Sequence, residues 1–238
     1  MSGPQCCENP PTLSSSCGEG HVQQLGALKS YVTGSPDSQL AILLVSDVYG
    51  YEAPNLRKLA DKVGAAGFYV VVPDFLYGDP HGDNAEKPLQ VWIKDHEPNK
   101  GFEDAQHVIS ALESKGVSKI GAAGFCWGAK VVVELAKYAY IQAAVMLHPS
   151  FVTLDDIQGV KVPISVLGAE IDNYSPPELL KQFEGALNAK PEVDGFVKIF
   201  PGATHGWTVR YKDEDEVAVK SAEESHRDML NWFVNYLK

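Results

Sequence analysis

Lys119-Ile120-Gly121-Ala122-Ala123-Gly124-Phe125-Cys126-Trp127-Gly128-Ala129-Lys130 passes from small apolar residues into Gly-x-Cys-x-Gly, and Val131-Val132-Val133-Glu134-Leu135-Ala136-Lys137 follows. That order predicts a strand, an abrupt turn and a helix. Glycines two before and two after Cys126 suit a turn so sharp that side chains there would collide. A nucleophile held at such a turn is lifted out of the sheet, beside the first N–H groups of the next helix. A thiolate at that place is stabilised by the helix dipole, which lowers its pKa and raises its reactive fraction. On this motif alone a buried structural cysteine explains the residue equally well. The rest of the chain has to decide.

The chain has 238 residues, of which 45% are hydrophobic, enough for one substantial core. Its formal net charge is −11 and no basic run interrupts it. Phosphate binding needs clustered Lys and Arg, so nucleic acid is excluded as an expected partner. The start, Met1-Ser2-Gly3-Pro4-Gln5-Cys6-Cys7, has neither a basic opening nor an apolar core, so a signal peptide is not expected. No apolar run approaches the roughly 18 residues that span a bilayer, so no membrane partner and a cytoplasmic location are expected. Cys6, Cys7 and Cys17 crowd the first residues while Cys126 stands alone, and their spacing lacks the paired pattern of a zinc site. No metal or cofactor is expected. A disulfide among the first three cysteines cannot be deduced from spacing.

Residues 1–20 read as an irregular arm and 21–238 as a single domain. Ala27 to Val32 reads as a short edge strand, and Gly34-Ser35-Pro36-Asp37 as a turn. Leu40 to Val45 is a continuous aliphatic run, as in a parallel strand buried on both faces. Leu56, Leu59, Ala60 and Val63 recur at helical spacing, and Phe68 to Val72 is the next buried strand. Residues 75–100 break this rhythm, with Gly78, Pro80, Gly82, Pro88 and Pro98 and a short helix around Trp92 and Ile93. Such a long connection reads as a lid or substrate-binding loop, or else as a solvated excursion. Alternation then resumes: a helix over 102–115, a strand over 118–123, the turn at Cys126 with its helix, and strands over 143–147 and 163–168. A helix over 177–187, a strand over 196–200 and an amphipathic helix over 217–237 complete it. Strand and helix alternate throughout, which predicts a single doubly wound, mostly parallel α/β sheet.

In such a sheet chemistry collects where strands end and their following loops begin. Cys126 sits at one such place. An acid sits at another, in Ala169-Glu170-Ile171-Asp172, and His205 at a third, in Thr204-His205-Gly206-Trp207. Nucleophile, acid, histidine is the chain order of the α/β-hydrolase fold. A histidine beside the thiol takes its proton, and a carboxylate orients the imidazole and supports its positive charge. Asp172 is preferred to Glu170, because it lies out in the loop rather than against the strand body. His148 closes another strand and either lines the pocket or serves as a hydrogen-bonded structural residue. His21, His81, His96, His107 and His226 read as ordinary. Ser46-Asp47-Val48-Tyr49-Gly50 ends the strand over 40–45. The N–H groups of Val48 and Trp127 are the candidate oxyanion hole. Asp47 either approaches the thiol or caps the next helix.

Together these residues resemble the dienelactone hydrolase, or carboxymethylenebutenolidase, family of α/β-hydrolases. The resemblance rests on Ser46-Asp47-Val48-Tyr49-Gly50, Val72-Pro73-Asp74-Phe75, Gly124-Phe125-Cys126-Trp127-Gly128, Ala169-Glu170-Ile171-Asp172 and Thr204-His205-Gly206. It implies a Cys126–His205–Asp172 triad and a resting contact between Asp47 and the thiol. Asp47 stands where bacterial members have glutamate and resembles the animal branch. Family substrates are carboxylate-bearing enol-lactones held by arginines, a role the resemblance passes to Arg210, with His148 and Trp207 beside it. Residues 75–100 contain no arginine, only Lys87, Lys94 and Lys100. The arm Gln5-Cys6-Cys7-Glu8-Asn9-Pro10-Pro11 resembles plant members, some named endo-1,3;1,4-β-D-glucanase. The expectation is a cofactor-free hydrolase of a small ester or lactone, monomeric or weakly dimeric. Glucan cleavage, or a non-catalytic binder or thiol sensor, stand as alternatives.

Overall fold

The computed structural model describes residues 10–82 and 87–238. Strand β1 (His21–Leu25) and β2 (Leu28–Thr33) open the chain as a hairpin, followed by β3 (Leu40–Val45), helix α1 (Pro54–Ala65) and β4 (Tyr69–Pro73). Helices α2 (Leu89–Asp95) and α3 (Pro98–Ser114) precede β5 (Lys119–Phe125), α4 (Trp127–Lys137) and β6 (Ala143–Leu147). Then come α5 (Leu154–Gly159), β7 (Ile164–Ile171), α6 (Pro177–Asn188), β8 (Gly195–Thr204) and α7 (Glu216–Leu237). The eight strands form one sheet in the order β1-β2-β4-β3-β5-β6-β7-β8. β1 and β2 pair antiparallel with their neighbours, and every pairing from β4 to β8 is parallel.

The central strands bury both faces. Ala41, Leu43 and Val45 of β3 join one core, and Ile42 and Leu44 join the other. Helices α3, α4 and α6 contribute to the first core, and α1 and α7 to the second. The chain leaves β3 towards β4 and later returns to β5 on the other side of β3. The loops after β3 and β5 therefore diverge at a topological switch point, the place where such sheets bind ligands.

Four local features depart from the sequence reading. The strand expected over 27–32 is the second arm of a hairpin: Gly26 (φ 54°) and Ala27 (φ 70°) make the tight turn, and β1, not β2, is the edge. His21 accordingly lies in a strand. The helix expected from 102 begins at Pro98, because proline's fixed φ and missing N–H suit a first helical position. α5 was not foreseen, although Thr153 and Asp156 form a reciprocal capping box, a signal the sequence does carry. β7 and β8 run on past 168 and 200 with an irregular register around Ala169 and Ile171. Of the arm, residues 10–20 form neither helix nor strand. Arg57, stacked over Tyr31 and Tyr51, ties them down by donating to the carbonyls of Ser15 and Cys17. Cys17 is a free thiol, while Cys6 and Cys7 lie outside the described residues. Among the described residues no helix is long and apolar enough to cross a membrane.

α7 is seated on the sheet by Phe233, whose ring fills the space a side chain on Gly121 would need: a Cβ there would come within 2.7 Å of it. Phe233 is fully buried. Phe233→Ala should therefore cost about 3–5 kcal/mol in urea unfolding. A loss under about 1 kcal/mol would show that α7 is not held by this ring.

Candidate active site

Cys126 is the residue between β5 and α4, with φ 51° and ψ −109°. A left-handed backbone at a non-glycine residue costs of order 1–3 kcal/mol and persists only where its surroundings enforce it. The surroundings here are backbone. A Cβ on Gly124 would sit 2.3 Å from the carbonyl oxygen of Gly128, and one on Gly128 would sit 2.2 Å from that of Val45. The Cys126 N–H donates to the Leu147 carbonyl at 3.1 Å, so the turn is stitched to β6 as well. The residue is wholly buried.

β7 and β8 deliver the acid and the imidazole. Asp172 Oδ2 lies 2.7 Å from His205 Nδ1, with both side chains fully buried. Oδ1 of Asp172 accepts the N–H groups of Tyr174 (2.8 Å) and Ser175 (3.3 Å), which fixes the carboxylate's orientation. Glu170 is exposed and accepts the Gly202 N–H at 2.7 Å, so of the two acids only Asp172 meets the imidazole. Burial pushes the His205 pKa down. The negative charge of the Cys126 sulfur and the hydrogen bond to Asp172 more than offset this, and the pKa rises to about 9. The sulfur's charge is the largest of the influences that raise the ring, and a hydrogen bond to the same sulfur adds to it.

The loop after His205 is pinned through Thr208. Nε2 of His148 lies 2.8 Å from the Thr208 hydroxyl, and Nε2 of His226 lies 2.7 Å from its carbonyl. His148 is fully buried, its ring edge-on to that of His205 at 5.2 Å and to that of Trp207 at 5.4 Å. It is thus a support beneath the imidazole rather than a wall of an open pocket. Burial, with His205 and Arg210 nearby, holds it well below the usual histidine pKa and keeps it neutral. Burial likewise lowers His226 to about 4. Unfolded histidine binds a proton more readily, so this anchor weakens as pH falls from the ordinary imidazole range towards 4. His226 is therefore part of the scaffold of this loop, not an ordinary surface residue.

Asp47 does not cap a helix: α1 starts at Pro54 with Ala53 as its cap. Its Oδ2 accepts from Arg210 Nε at 2.7 Å and its Oδ1 from the Tyr49 N–H at 2.9 Å. Arg210 is only 6% exposed, lies over the Tyr49 ring and is bonded to Asp47 through Nε. The register Val45↔Gly124 sets the loop carrying Val48 beside the turn carrying Trp127. Two segments of the connection before α3 reach these two: the His81 N–H donates to the Val48 carbonyl at 2.8 Å, and Trp127 Nε1 to the His96 carbonyl at 2.8 Å. His96 stacks on Trp92 at 4.0 Å. A cleft of about 360 Å³ opens beside His205, bounded by Trp207, Arg210, Tyr211, Val217 and Ala218.

Sequence reasoning missed two neighbours. The Tyr174 ring centroid lies 4.9 Å from that of His205. Ser150 Oγ lies 3.5 Å from the Cys126 sulfur. Both follow strand ends, which was the available signal.

Fold and site together define an α/β-hydrolase. The comparisons go one step further. Residues 28–237 match the model of the Dienelactone hydrolase family. A carboxymethylenebutenolidase homolog of Mus musculus is 33% identical over 228 residues, covering 92% of each chain. An endo-1,3;1,4-beta-D-glucanase of Zea mays is 42% identical over 195 residues, 79% of this chain but only 63% of the maize protein's length. Among solved structures, a dienelactone hydrolase-like promiscuous phosphotriesterase from metagenomic libraries superposes with a TM-score of 0.69 at 19% identity, over 90% of this chain and 96% of that one. A dienelactone hydrolase from Anabaena variabilis does so with 0.63 at 14% identity, over 96% and 100%. This chain belongs to the dienelactone hydrolase family.

If the sulfur's charge holds the imidazole up, Cys126→Ala must let it fall. The His205 ring, followed by NMR, should then titrate clearly below the value of about 9. An unchanged titration would mean that Asp172 alone sustains it.

Proposed function

We propose that the protein is a cysteine hydrolase that cleaves a small ester or lactone with Cys126, His205 and Asp172. The observation that carries this is the buried His205–Asp172 pair at 2.7 Å, and the raising of the His205 pKa by the charge of the Cys126 sulfur supports it. The printed names of the mouse relative and of the family support the ester and lactone class.

The thiolate adds to the carbonyl carbon, forming a C–S bond and pushing an electron pair onto the carbonyl oxygen. The N–H groups of Val48 and Trp127 receive that oxyanion. As it collapses, the C–O bond to the leaving group breaks, and His205 gives its proton to the departing alkoxide. A thioester remains. Sulfur then carries no charge, so the influence that held the imidazole protonated has gone. His205 becomes the base that takes a proton from water, which attacks the thioester and returns sulfur as thiolate. Asp172 holds the ring in register throughout. The segments carrying His81 and His96, which bond to Val48 and Trp127, serve as a cover that keeps bulk water from the buried sulfur. Its anchors on Val48 and Trp127 must loosen to admit substrate.

The maize relative's name raises glucan as a second substrate class. Glycoside cleavage needs two carboxylates flanking the bond, about 5–10 Å apart. Here Asp47 is engaged by Arg210, Asp172 by His205 and Glu170 by the Gly202 N–H. The geometry therefore favours the ester reading.

Wild-type protein should hydrolyse p-nitrophenyl acetate, and Cys126→Ala should lower kcat/KM by at least about a thousandfold, with Asp172→Asn falling by a comparable factor. Reducing-sugar release from mixed-linkage glucan, measured on the same proteins, should stay at background. Undiminished ester turnover by Cys126→Ala would overturn the assignment, and glucan cleavage that persists in that variant would require a second site.

A further inference from the structure

The loop after β6 is bent into the left-handed region at two non-glycine residues, His148 (φ 38°) and Phe151 (φ 63°). Such backbone persists only where it is over-determined. Three hydrogen bonds hold it: His148 N–H to the Leu167 carbonyl at 2.8 Å, Ser175 Oγ to the Pro149 carbonyl at 2.8 Å, and Ser150 N–H to the Cys126 carbonyl at 3.1 Å. Ser175 also donates its N–H to Asp172, so one residue braces both the acid and this loop. The outcome of the bend is the placement of Ser150, fully buried, with its hydroxyl 3.5 Å from the Cys126 sulfur. A thiolate carries no proton. Across that contact the hydroxyl can only be the donor once sulfur is charged.

We propose that Ser150 is a positioning residue for the nucleophile: its hydroxyl donates a hydrogen bond to the Cys126 sulfur, fixing the sulfur's place and favouring thiolate over thiol. This rests on the reading of Cys126 as the nucleophile. The other titratable and charged groups around the site are His205 with Asp172 behind it, the Asp47–Arg210 pair on the β3 side, and His148 beneath the imidazole. Of these, His205 acts on the sulfur itself through charge and a hydrogen bond, whereas Ser150 reaches it from the loop after β6. A hydrogen bond that is strongest to the anion weakens as the C–S bond forms. Ser150 therefore trades some intrinsic nucleophilicity for a larger thiolate fraction.

The test is the ionisation of Cys126, followed by ultraviolet thiolate absorbance against pH, with a matching Cys126→Ala background subtracted from each protein. Ser150→Ala should move the midpoint up by about one pH unit, a tenfold weaker ionisation. Its kcat/KM for p-nitrophenyl acetate should lie about tenfold below wild type on the acid side and converge with it, or exceed it, once the thiol is fully ionised. Ser150→Thr and Ser150→Val share a shape and differ in the hydroxyl. Should the alanine variant not fold, this pair reads the same quantity, with a higher midpoint expected for valine. Unchanged midpoints and parallel pH profiles would overturn the proposal and leave Ser150 a space-filling residue. Because the titration needs no substrate, it is separable from the ester assignment, which fails only if Cys126→Ala remains active.

Discussion

Backbone meeting backbone at residues 124 to 128 sets the terms for everything else in this molecule. Gly128 is pressed against the carbonyl of Val45, and Gly124 against the carbonyl of Gly128, at distances no side chain tolerates. With both neighbours confined, Cys126 has nowhere to go but the left-handed region, above the sheet and at the first turn of α4. The packing of α4 between β3, β5 and β6 makes that crowding rigid. Strain at the cysteine is stored by the tight fit of a glycine-flanked helix on a parallel sheet, and the site inherits its precision from that fit.

Around this turn the buried charges are paired off with little overlap. Asp172 is committed to His205, Asp47 to Arg210, and His148 is kept neutral by burial. That leaves the imidazole of His205, whose pKa the charge of the Cys126 sulfur and the bond to Asp172 raise against the effect of burial. Thr208, gripped by His148 through its hydroxyl and by His226 through its carbonyl, keeps that ring in place from below. At the neighbouring turn, His96 stacks on Trp92 and accepts the Trp127 indole N–H at its carbonyl.

Much of this was written plainly in the chain. Gly-x-Cys-x-Gly, the acid after the strand at 164 and the histidine after the strand at 195 are all local signals, since each depends on a strand ending where chemistry begins. The hairpin at Gly26-Ala27 was missed because β1 is short, polar and mostly exposed, so it carries no hydrophobic alternation. The early start of α3 was missed because Pro98 reads as a breaker until one knows that it opens a helix. Arg210 and Asp47 are separated by 163 positions in sequence, and nothing local says that they bond to each other. Ser150 was invisible for the same reason, since its meaning lies wholly in the neighbour it touches across β5 and β6.

The chain by itself determined the parallel α/β sheet and the placing of Cys126, Asp172 and His205 at strand ends. Hydrophobic runs, glycine spacing and strand-to-helix alternation act over a few residues and leave a mark in one dimension. Only the tertiary structure decided which carboxylate serves which cation, that His148 lies under the imidazole rather than facing substrate, and that a serine hydroxyl reaches the sulfur. Those outcomes depend on distances between strands brought together by the sheet order. Pairing energies of buried charges change so steeply with an ångström of separation that no sequence pattern encodes them.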